Sequence, residues 1–275
     1  MLNEPKKTSK FFIHLTLMVG AIAMILPFLW MFLTSGKTQA ESTMIPPAIF
    51  PENFKWGNYS RVWNALPFVK FYWNTGLMIA GRVLFSTVFS AMAAFSVAKL
   101  EFPGKNLFFW LVLTQMMIPS QIFITPQYLL VQKLGLLNSV TALIIPGIVS
   151  AFGTFLLRQF FMQLPDDMME AAKLDGANIG QIFLKIYMPL ARSGLVSLGI
   201  FTALFAYKDL MWPLIVNISQ DKMTLSAGLS NLQGQFMTNY PELMAGSVIS
   251  ILPMIILYII FQKQFIEGIA NTGGK

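Results

Sequence analysis

Four carboxylates lie close together in one short polar segment of the chain, those of Asp166, Asp167, Glu170 and Asp175. Such a group could serve acid–base catalysis, hold a cation or meet a partner protein. A Ser-His-Asp set needs a histidine, and His14, the single histidine, is far away in the sequence. The absence of cysteine excludes thiolate metal sites and disulfides. We therefore predict no catalytic site and no metal site, and a partner protein explains the carboxylates better.

One tripeptide, Gly36-Lys37-Thr38, resembles the end of a phosphate-binding loop. Such loops carry a second glycine five positions before this one, and this chain has Met31 there. The sequence contains no other nucleotide motif. We therefore expect a protein that is not an enzyme and that binds no cofactor of its own.

The carboxylate-rich segment has the start and stop signals of a short helix. Asp167 is placed to cap the first turn, and Glu170, three residues later, would complete a capping box. Gly176 is placed to end the helix, because glycine readily adopts the left-handed conformation found at many helix ends. These signals predict a helix of about two to three turns between Asp167 and Gly176.

One stripe of this predicted helix carries Met168, Ala171, Ala172 and Asp175. A helix lying on a bilayer would be expected to have larger apolar residues and more basic ones. Two small alanines beside acidic residues instead favour close docking into a groove of another protein. The pattern leaves both interpretations open and favours docking.

The composition indicates a membrane protein. Of the 275 residues, 55% are hydrophobic and 11% are charged, and the mean hydropathy is +0.62. Soluble domains carry roughly 25% charged residues, so much of this surface must face lipid. The net charge of +7 comes from scattered lysines and arginines, which argues against nucleic acid as a partner. We predict an all-α polytopic membrane protein with six transmembrane helices, forming a single domain over residues 1–275.

The six apolar stretches are each long enough to cross the hydrocarbon core as a helix. The first could be a cleaved signal peptide, but its apolar run exceeds the roughly 7–15 residues of such peptides. With the N-terminus inside, the inner segments carry eleven lysines and arginines and the outer segments carry six. Both termini are therefore expected in the cytoplasm, together with the loop of residues 164–189. The predicted spans are residues 11–34, 76–97, 107–124, 140–157, 194–216 and 243–261.

The spacing of residues in this inner loop resembles that of a known motif, the EAA loop of bacterial ABC importer permeases. The matching positions are Glu170-Ala171-Ala172, Gly176, Ile186 and Met188-Pro189. The motif usually ends in Leu-Pro, so Met188 is a mild departure. The resemblance implies that the segment is a coupling helix, seated in a cleft of an ATP-binding subunit. The residues to which it assigns coupling are Asp167, Glu170, Ala171, Ala172, Asp175 and Gly176.

Further segments resemble the carbohydrate subgroup of these permeases, in particular the six-span inner-membrane subunit of the maltose-importer type. The resemblance covers about residues 74–275 well and the first span loosely. The matching segments are residues 99–105, Tyr128 with residues 134–139, residues 212–214, and residues 265–268 with residues 273–275.

This resemblance implies a subunit of a sugar importer in the bacterial inner membrane. It would form the translocation path with a homologous permease and work by alternating access. Two ATP-binding subunits would hold ATP and Mg²⁺, and an extracellular sugar-binding protein would deliver the substrate. Two alternatives remain open: a permease of the same superfamily for a non-sugar solute, or a secondary transporter.

Two adjacent charged residues, Lys208 and Asp209, lie in the predicted fifth span, where a charge costs at least ~2.5 kcal/mol. They point about 100° apart, so at least one should meet another helix or water. With Tyr207 and Trp212 they are candidates for lining the substrate path, and the lysine would suit an anionic sugar. The alternative is a structural ion pair. Arg82, in the second span, is expected to pair with an acid or to reach the interface.

Overall fold

The computed structural model describes residues 7–234 and 238–273, with side chains described within 11–234 and 238–263. Gly274 and Lys275 of the C-terminal match lie outside the described residues. The described residues form helices and no strand, which confirms the predicted all-α fold. The α-helices are α1 Lys7–Ser35, α2 Gln39–Ser42, α3 Gly57–Ala65, α4 Phe68–Lys99, α5 Lys105–Met117, α6 Ile124–Lys133, α7 Val140–Ile144, α8 Ala151–Met162, α9 Asp167–Leu174, α10 Ile179–Ile182, α11 Met188–Leu190, α12 Arg192–Lys208, α13 Met211–Val216, α14 Leu225–Leu229 and α15 Tyr240–Gly273.

Three uninterrupted helical segments of the described chain are long and apolar enough to cross a membrane: Phe11–Ser35, Phe68–Lys99 and Tyr240–Lys263. Three further candidates are pairs of helices bent at a short break, so that up to six spans are present. The bent pairs are Lys105–Met117 with Ser120–Lys133 at 102°, Val140–Gly147 with Ala151–Met162 at 47°, and Ile179–Leu190 with Arg192–Lys208 at 77°.

Prolines account for two of the breaks inside the predicted spans. Our third span was expected to run unbroken to residue 124, but α5 ends at Met117 because Ile118 is extended (ψ 128°) ahead of Pro119. In the fourth, the one-turn 3₁₀ helix Ile145–Gly147 contains Pro146 and interrupts the α-helix. A hydropathy pattern predicts neither interruption. Prolines also occur inside continuous membrane helices, so their presence alone does not locate a break.

The fifth predicted span is also broken, at Asp209. Its backbone is extended there (ψ 114°), so α12 ends at Lys208 and α13 begins at Met211. Pro213 lacks the N–H that would bond the Asp209 carbonyl four residues earlier. That carbonyl instead accepts a hydrogen bond from the Ser226 hydroxyl at 2.6 Å. The Asp209 carbonyl therefore keeps a hydrogen-bond partner despite the break. The side chain of Asp209 does not point in the direction that it would have in a continuous helix.

The chain divides into two compact units, Met1–Leu66 with Leu229–Pro253 and Pro67–Gly228 with Met254–Lys275. In the second unit, α4 packs along α8 and α12. Gly153 permits this approach, because a Cβ there would lie 2.6 Å from the Ser90 hydroxyl and 3.0 Å from Leu198. This three-helix core supports the candidate sites described below.

In the first unit, polar contacts order the connection between α1 and α3. The buried Asn58 amide donates to the carbonyls of Ser35 and Lys37. The Glu41 carboxylate accepts bonds from the N–H groups of Thr38 (2.6 Å) and Glu52 (2.9 Å), and from the Thr38 hydroxyl. These bonds favour the ionised carboxylate and lower the pKa of Glu41 to about 2.

Candidate functional site

The short acidic helix predicted from the sequence is present as α9, Asp167–Leu174, but its N-terminus differs from the expectation. Asp166 occupies the N-cap, and no side chain caps the first turn, so the predicted Asp167–Glu170 capping box is wrong. The Asp166 carboxylate pairs instead with the Lys99 ammonium at 2.5 Å. A full capping box does form one helix later, between Asn178 and Gln181. At α9, the distant Lys99 ammonium thus binds the Asp166 carboxylate, which could otherwise cap the first turn of the helix.

The end of α9 follows the prediction. Gly176 has a φ of +79°, the left-handed conformation expected of a residue that ends a helix. The N–H groups of Gly176 and Ala177 bond the carbonyls of Lys173 and Ala172, which satisfies the last turn. An added Cβ at Gly176 would meet no atom within 4 Å, so the need for glycine is conformational.

The two faces of α9 differ from the predicted stripe. Met169 and Ala172 are each 7% exposed and pack into the core of their own unit. Ala172 therefore belongs to the inner face and cannot meet a partner directly. Met168, Glu170, Ala171 and Asp175 are exposed. Leu174, which the sequence reasoning missed, is 90% exposed and is the largest apolar addition to the outer face. It was detectable, because it lies three residues after Ala171 on the same side.

The inner face of α9 rests on a group of aromatic side chains. Tyr187 is fully buried, and its ring lies 5.1 Å from Phe95 of α4 and 6.1 Å from Phe161 of α8. Lys99, at the end of α4, donates to the Leu164 carbonyl just before α9. Together with the Lys99–Asp166 pair, these contacts tie α9 to α4.

A second candidate site is a cavity of about 980 Å³ within the second unit. Its walls come from the breaks that follow α5, α7 and α12 and from the middle of α4. Three of the four predicted path residues line it: Lys208, Asp209 and Trp212. The fourth, Tyr207, does not. The sequence reasoning missed three glutamines that line the cavity, Gln115, Gln121 and Gln127.

Arg82 and Asp209 form an ion pair in the wall of this cavity. The distance between Nη1 of Arg82 and Oδ2 of Asp209 is 2.8 Å, and the side chains are 10% and 21% exposed. Nε of Arg82 also donates to the Leu143 carbonyl at 2.7 Å. The expectation that Arg82 pairs with an acid is confirmed. The pair joins α4 to the break in the fifth span, and it neutralises both charges.

The Trp212 side chain mainly contacts the protein and presents little surface to the cavity. Its indole N–H donates to the Ala142 carbonyl at 2.8 Å, and the residue is 5% exposed. Lys208 is different, because its side chain is exposed and its ammonium lies 5.6 Å from the ring centre of Phe205. Among the described residues, no three histidine, aspartate or glutamate side chains are grouped so that they could hold a metal ion.

Comparison with known proteins identifies the family. Residues 86–270 match the family described as "Binding-protein-dependent transport system inner membrane component". The sn-glycerol-3-phosphate transport system permease protein UgpE of Pectobacterium atrosepticum is 29% identical over 277 residues, 98% of this chain and 99% of that protein. The arabinooligosaccharides transport system permease protein AraQ of Halalkalibacterium halodurans is 41% identical over 193 residues, 70% of this chain and 69% of that protein.

A solved structure shares the fold. It is a crystal structure of a bacterial ABC transporter involved in the import of the acidic polysaccharide alginate. One of its chains matches with a TM-score of 0.79 and 24% identity, covering 95% of this chain and 99% of that chain. Together with the six candidate spans, the family match identifies a transport permease that is not itself an ATPase. The chain belongs to the family of inner-membrane components of binding-protein-dependent transport systems, and it is a multi-pass protein of the bacterial inner membrane.

Proposed function

We propose that this chain is the transmembrane subunit of an ATP-driven sugar importer. It forms the translocation path with a homologous permease, and an extracellular sugar-binding protein delivers the substrate. The family match supports the dependence on a binding protein. The sugar assignment is supported by the 41% identity with a permease named for arabinooligosaccharides. Residues 1–275 act in this proposal as one transmembrane domain.

The observation that carries the proposal is the two-faced arrangement of α9. Its inner face, Met169 and Ala172, is buried against its own unit, while Met168, Ala171 and Leu174 present a small apolar patch outwards. Such a patch is what a helix seated in a groove of a partner requires. Because α9 is tied to α4 through Lys99, the patch can act as the end of a lever.

The ATP-binding subunits dock on this patch and hold ATP and Mg²⁺. Nucleotide-driven closure of those subunits moves α9, and the spans rock between inward-open and outward-open states. In this scheme Asp167, Glu170 and Asp175 face the partner beside the apolar patch, and Gly176 sets the direction in which the chain leaves it. Ala172 contributes from the inner face, by seating the helix on its own unit.

The proposal predicts the result of disulfide crosslinking, for which the natural absence of cysteine leaves a clean background. We expect Leu174→Cys, at a residue that is 90% exposed, to crosslink to a cysteine in the groove of the ATP-binding subunit, with a yield that changes with nucleotide. Ala172→Cys, at a residue that is 7% exposed, is the matched control and should crosslink weakly.

The opposite pattern would reject this assignment. If Leu174→Cys formed no crosslink and were shielded by lipid, α9 would lie on the bilayer. A secondary transporter would then be the better interpretation.

The proposal also places both termini and α9 in the cytoplasm, from the distribution of lysine and arginine. Two exposed positions test this orientation, Leu174 in α9 and Ile45, which is 94% exposed in the connection after α1. A membrane-impermeant thiol reagent applied to the outer face of the inner membrane should label Ile45→Cys and leave Leu174→Cys unlabelled. Labelling of Leu174→Cys alone would invert the proposed orientation.

A further inference from the structure

The cavity in the second unit contains a cation, Lys208, whose charge is not neutralised by any of the side chains that the structure describes. Three charged residues line the cavity, Arg82, Lys208 and Asp209. Arg82 and Asp209 cancel each other at 2.8 Å. Lys208 makes no ion pair with any side chain in residues 11–234 or 238–263. The cavity wall therefore carries one net positive charge, at an exposed side chain.

Two interactions within the protein could give Lys208 a purely structural role. The residue ends α12, where the helix dipole favours a cation, and it lies near the ring of Phe205. Neither interaction is needed to end the helix, because the extended backbone of Asp209 and the proline at residue 213 already end α12. A charged side chain in a membrane-spanning segment is tolerated where it faces a water-filled cavity, and such a residue is a candidate for contact with the transported substrate.

The rest of the wall suits a sugar. Gln115, Gln121 and Gln127 provide amides that can both donate to and accept from hydroxyl groups, and Thr202 adds a hydroxyl. Phe152 and Phe205 also line the cavity, and aromatic faces can pack against the C–H faces of a sugar ring. The volume of about 980 Å³ is at the upper end of the range of small-molecule sites.

We propose that this cavity takes an anionic sugar, and that the Lys208 ammonium contacts the carboxylate or phosphate group of that sugar. The inference rests on the proposed import function and adds a substrate class to it. The Arg82–Asp209 pair supports anion binding indirectly. Because Asp209 is paired with Arg82, it neither neutralises Lys208 nor repels the anion. The glutamines and aromatic rings bind the remainder of the sugar.

The test uses the whole transporter, reconstituted in proteoliposomes with its binding protein. Three probes are compared by uptake and by stimulation of ATP hydrolysis: trigalacturonate, the neutral galactotriose of equal length, and galactose 6-phosphate. The variants are Lys208→Met, which removes the charge, Lys208→Arg, which keeps it, and Lys133→Met as a control. Lys133 is exposed at the end of α6 and does not line the cavity.

We expect the unmodified transporter to import trigalacturonate or galactose 6-phosphate. Lys208→Met should reduce that uptake at least tenfold, Lys208→Arg should retain most of it, and Lys133→Met should leave it unchanged. The probe that responds identifies the anionic group as a carboxylate or a phosphate. Retained folding of Lys208→Met is shown by normal ATP hydrolysis of the assembled complex without substrate.

Three results would overturn the inference. In the first, Lys208→Met imports the anionic probe as well as the unmodified transporter does. In the second, only galactotriose is imported, which leaves the sugar-import proposal standing and removes the anionic class. In the third, no probe is imported although a non-sugar solute is, and both proposals then fail.

Discussion

The guanidinium of Arg82, in the middle of α4, donates to the carboxylate of Asp209 at the break between α12 and α13 over 2.8 Å. These residues are far apart in the sequence; Arg82 is the lone charge of its apolar stretch, and Asp209 directly follows Lys208. Arg82 also bonds the Leu143 carbonyl in α7. One side chain therefore connects three helices at the wall of the cavity.

Breaking this pair should destabilise the protein, because the remaining charge would be left largely buried. We expect Arg82→Met or Asp209→Asn alone to cost on the order of 3 kcal/mol. Unfolding by SDS in mixed micelles measures that cost. In the double variant the loss should be smaller than the sum of the two single losses, because no isolated charge remains. Strictly additive losses would show that the pair makes no net contribution.

The left-handed backbone of Gly176 predicts a difference between two substitutions. A side chain in this conformation costs roughly 1–2 kcal/mol, and the cost is highest for β-branched residues and low for asparagine. Because the space around Gly176 is open, steric clash contributes nothing. We expect Gly176→Val to insert normally, and the transporter assembled with it to hydrolyse ATP without transport. The transporter with Gly176→Asn should transport nearly as well as the unmodified one. Comparing transport with ATP hydrolysis in both variants tests this.

If Gly176→Val transported at the normal rate, the direction of the chain after α9 would not matter for coupling. Equal losses in the valine and asparagine variants would instead indicate that the position does not tolerate any side chain, and would point to a contact with the partner.

The close packing of α4, α8 and α12 predicts an effect at Gly153. A methyl group there would lie 2.6 Å from the Ser90 hydroxyl, so neighbouring helices would have to move. We expect Gly153→Ala to lower stability by about 1–3 kcal/mol, as overpacking of a core does. Gly199→Ala is the matched control, since its Cβ would meet Val83 at an ordinary 3.5 Å. Thermal unfolding in detergent should separate the two variants, and equal melting temperatures would contradict the proposed packing constraint.

The connection between α1 and α3 should respond to acid through Glu41. Its folded pKa of about 2 lies below the ordinary value of 4.5, so the carboxylate stabilises the folded loop fully above about pH 5. This contribution is lost as the pH falls from there towards pH 2. We expect Glu41→Gln to lower the melting temperature at pH 6 and to flatten its dependence on pH between 5 and 3.

Thermal unfolding of the detergent-solubilised protein across this range measures the effect. Glu52→Gln is a suitable control, because Glu52 contributes its backbone N–H to Glu41 and that group is unchanged by the substitution. An unaltered pH profile in Glu41→Gln would remove Glu41 as the source of the acid sensitivity.

The sequence by itself determined the class of the protein, the three uninterrupted candidate spans and the helix at α9, because these depend on local composition and spacing. A long apolar run must be a helix in lipid, where its backbone groups have no other partners. Gly176 ends α9 because glycine alone adopts its conformation without strain. The spacing from Glu170 to Pro189 carried the family resemblance, and the comparison with known proteins confirmed it.

Tertiary structure decided what depends on residues distant in sequence. The Asp166 side chain pairs with Lys99 and caps no backbone N–H, because a cation from α4 is within reach. Ala172 turns inwards and Leu174 outwards because Tyr187 and its aromatic neighbours occupy only one side of α9. Asp209 finds Arg82 because the break before Pro213 allows its side chain to turn towards α4. Helical periodicity tells which residues share a face of a helix. Which face is buried depends on the other elements that pack against the helix.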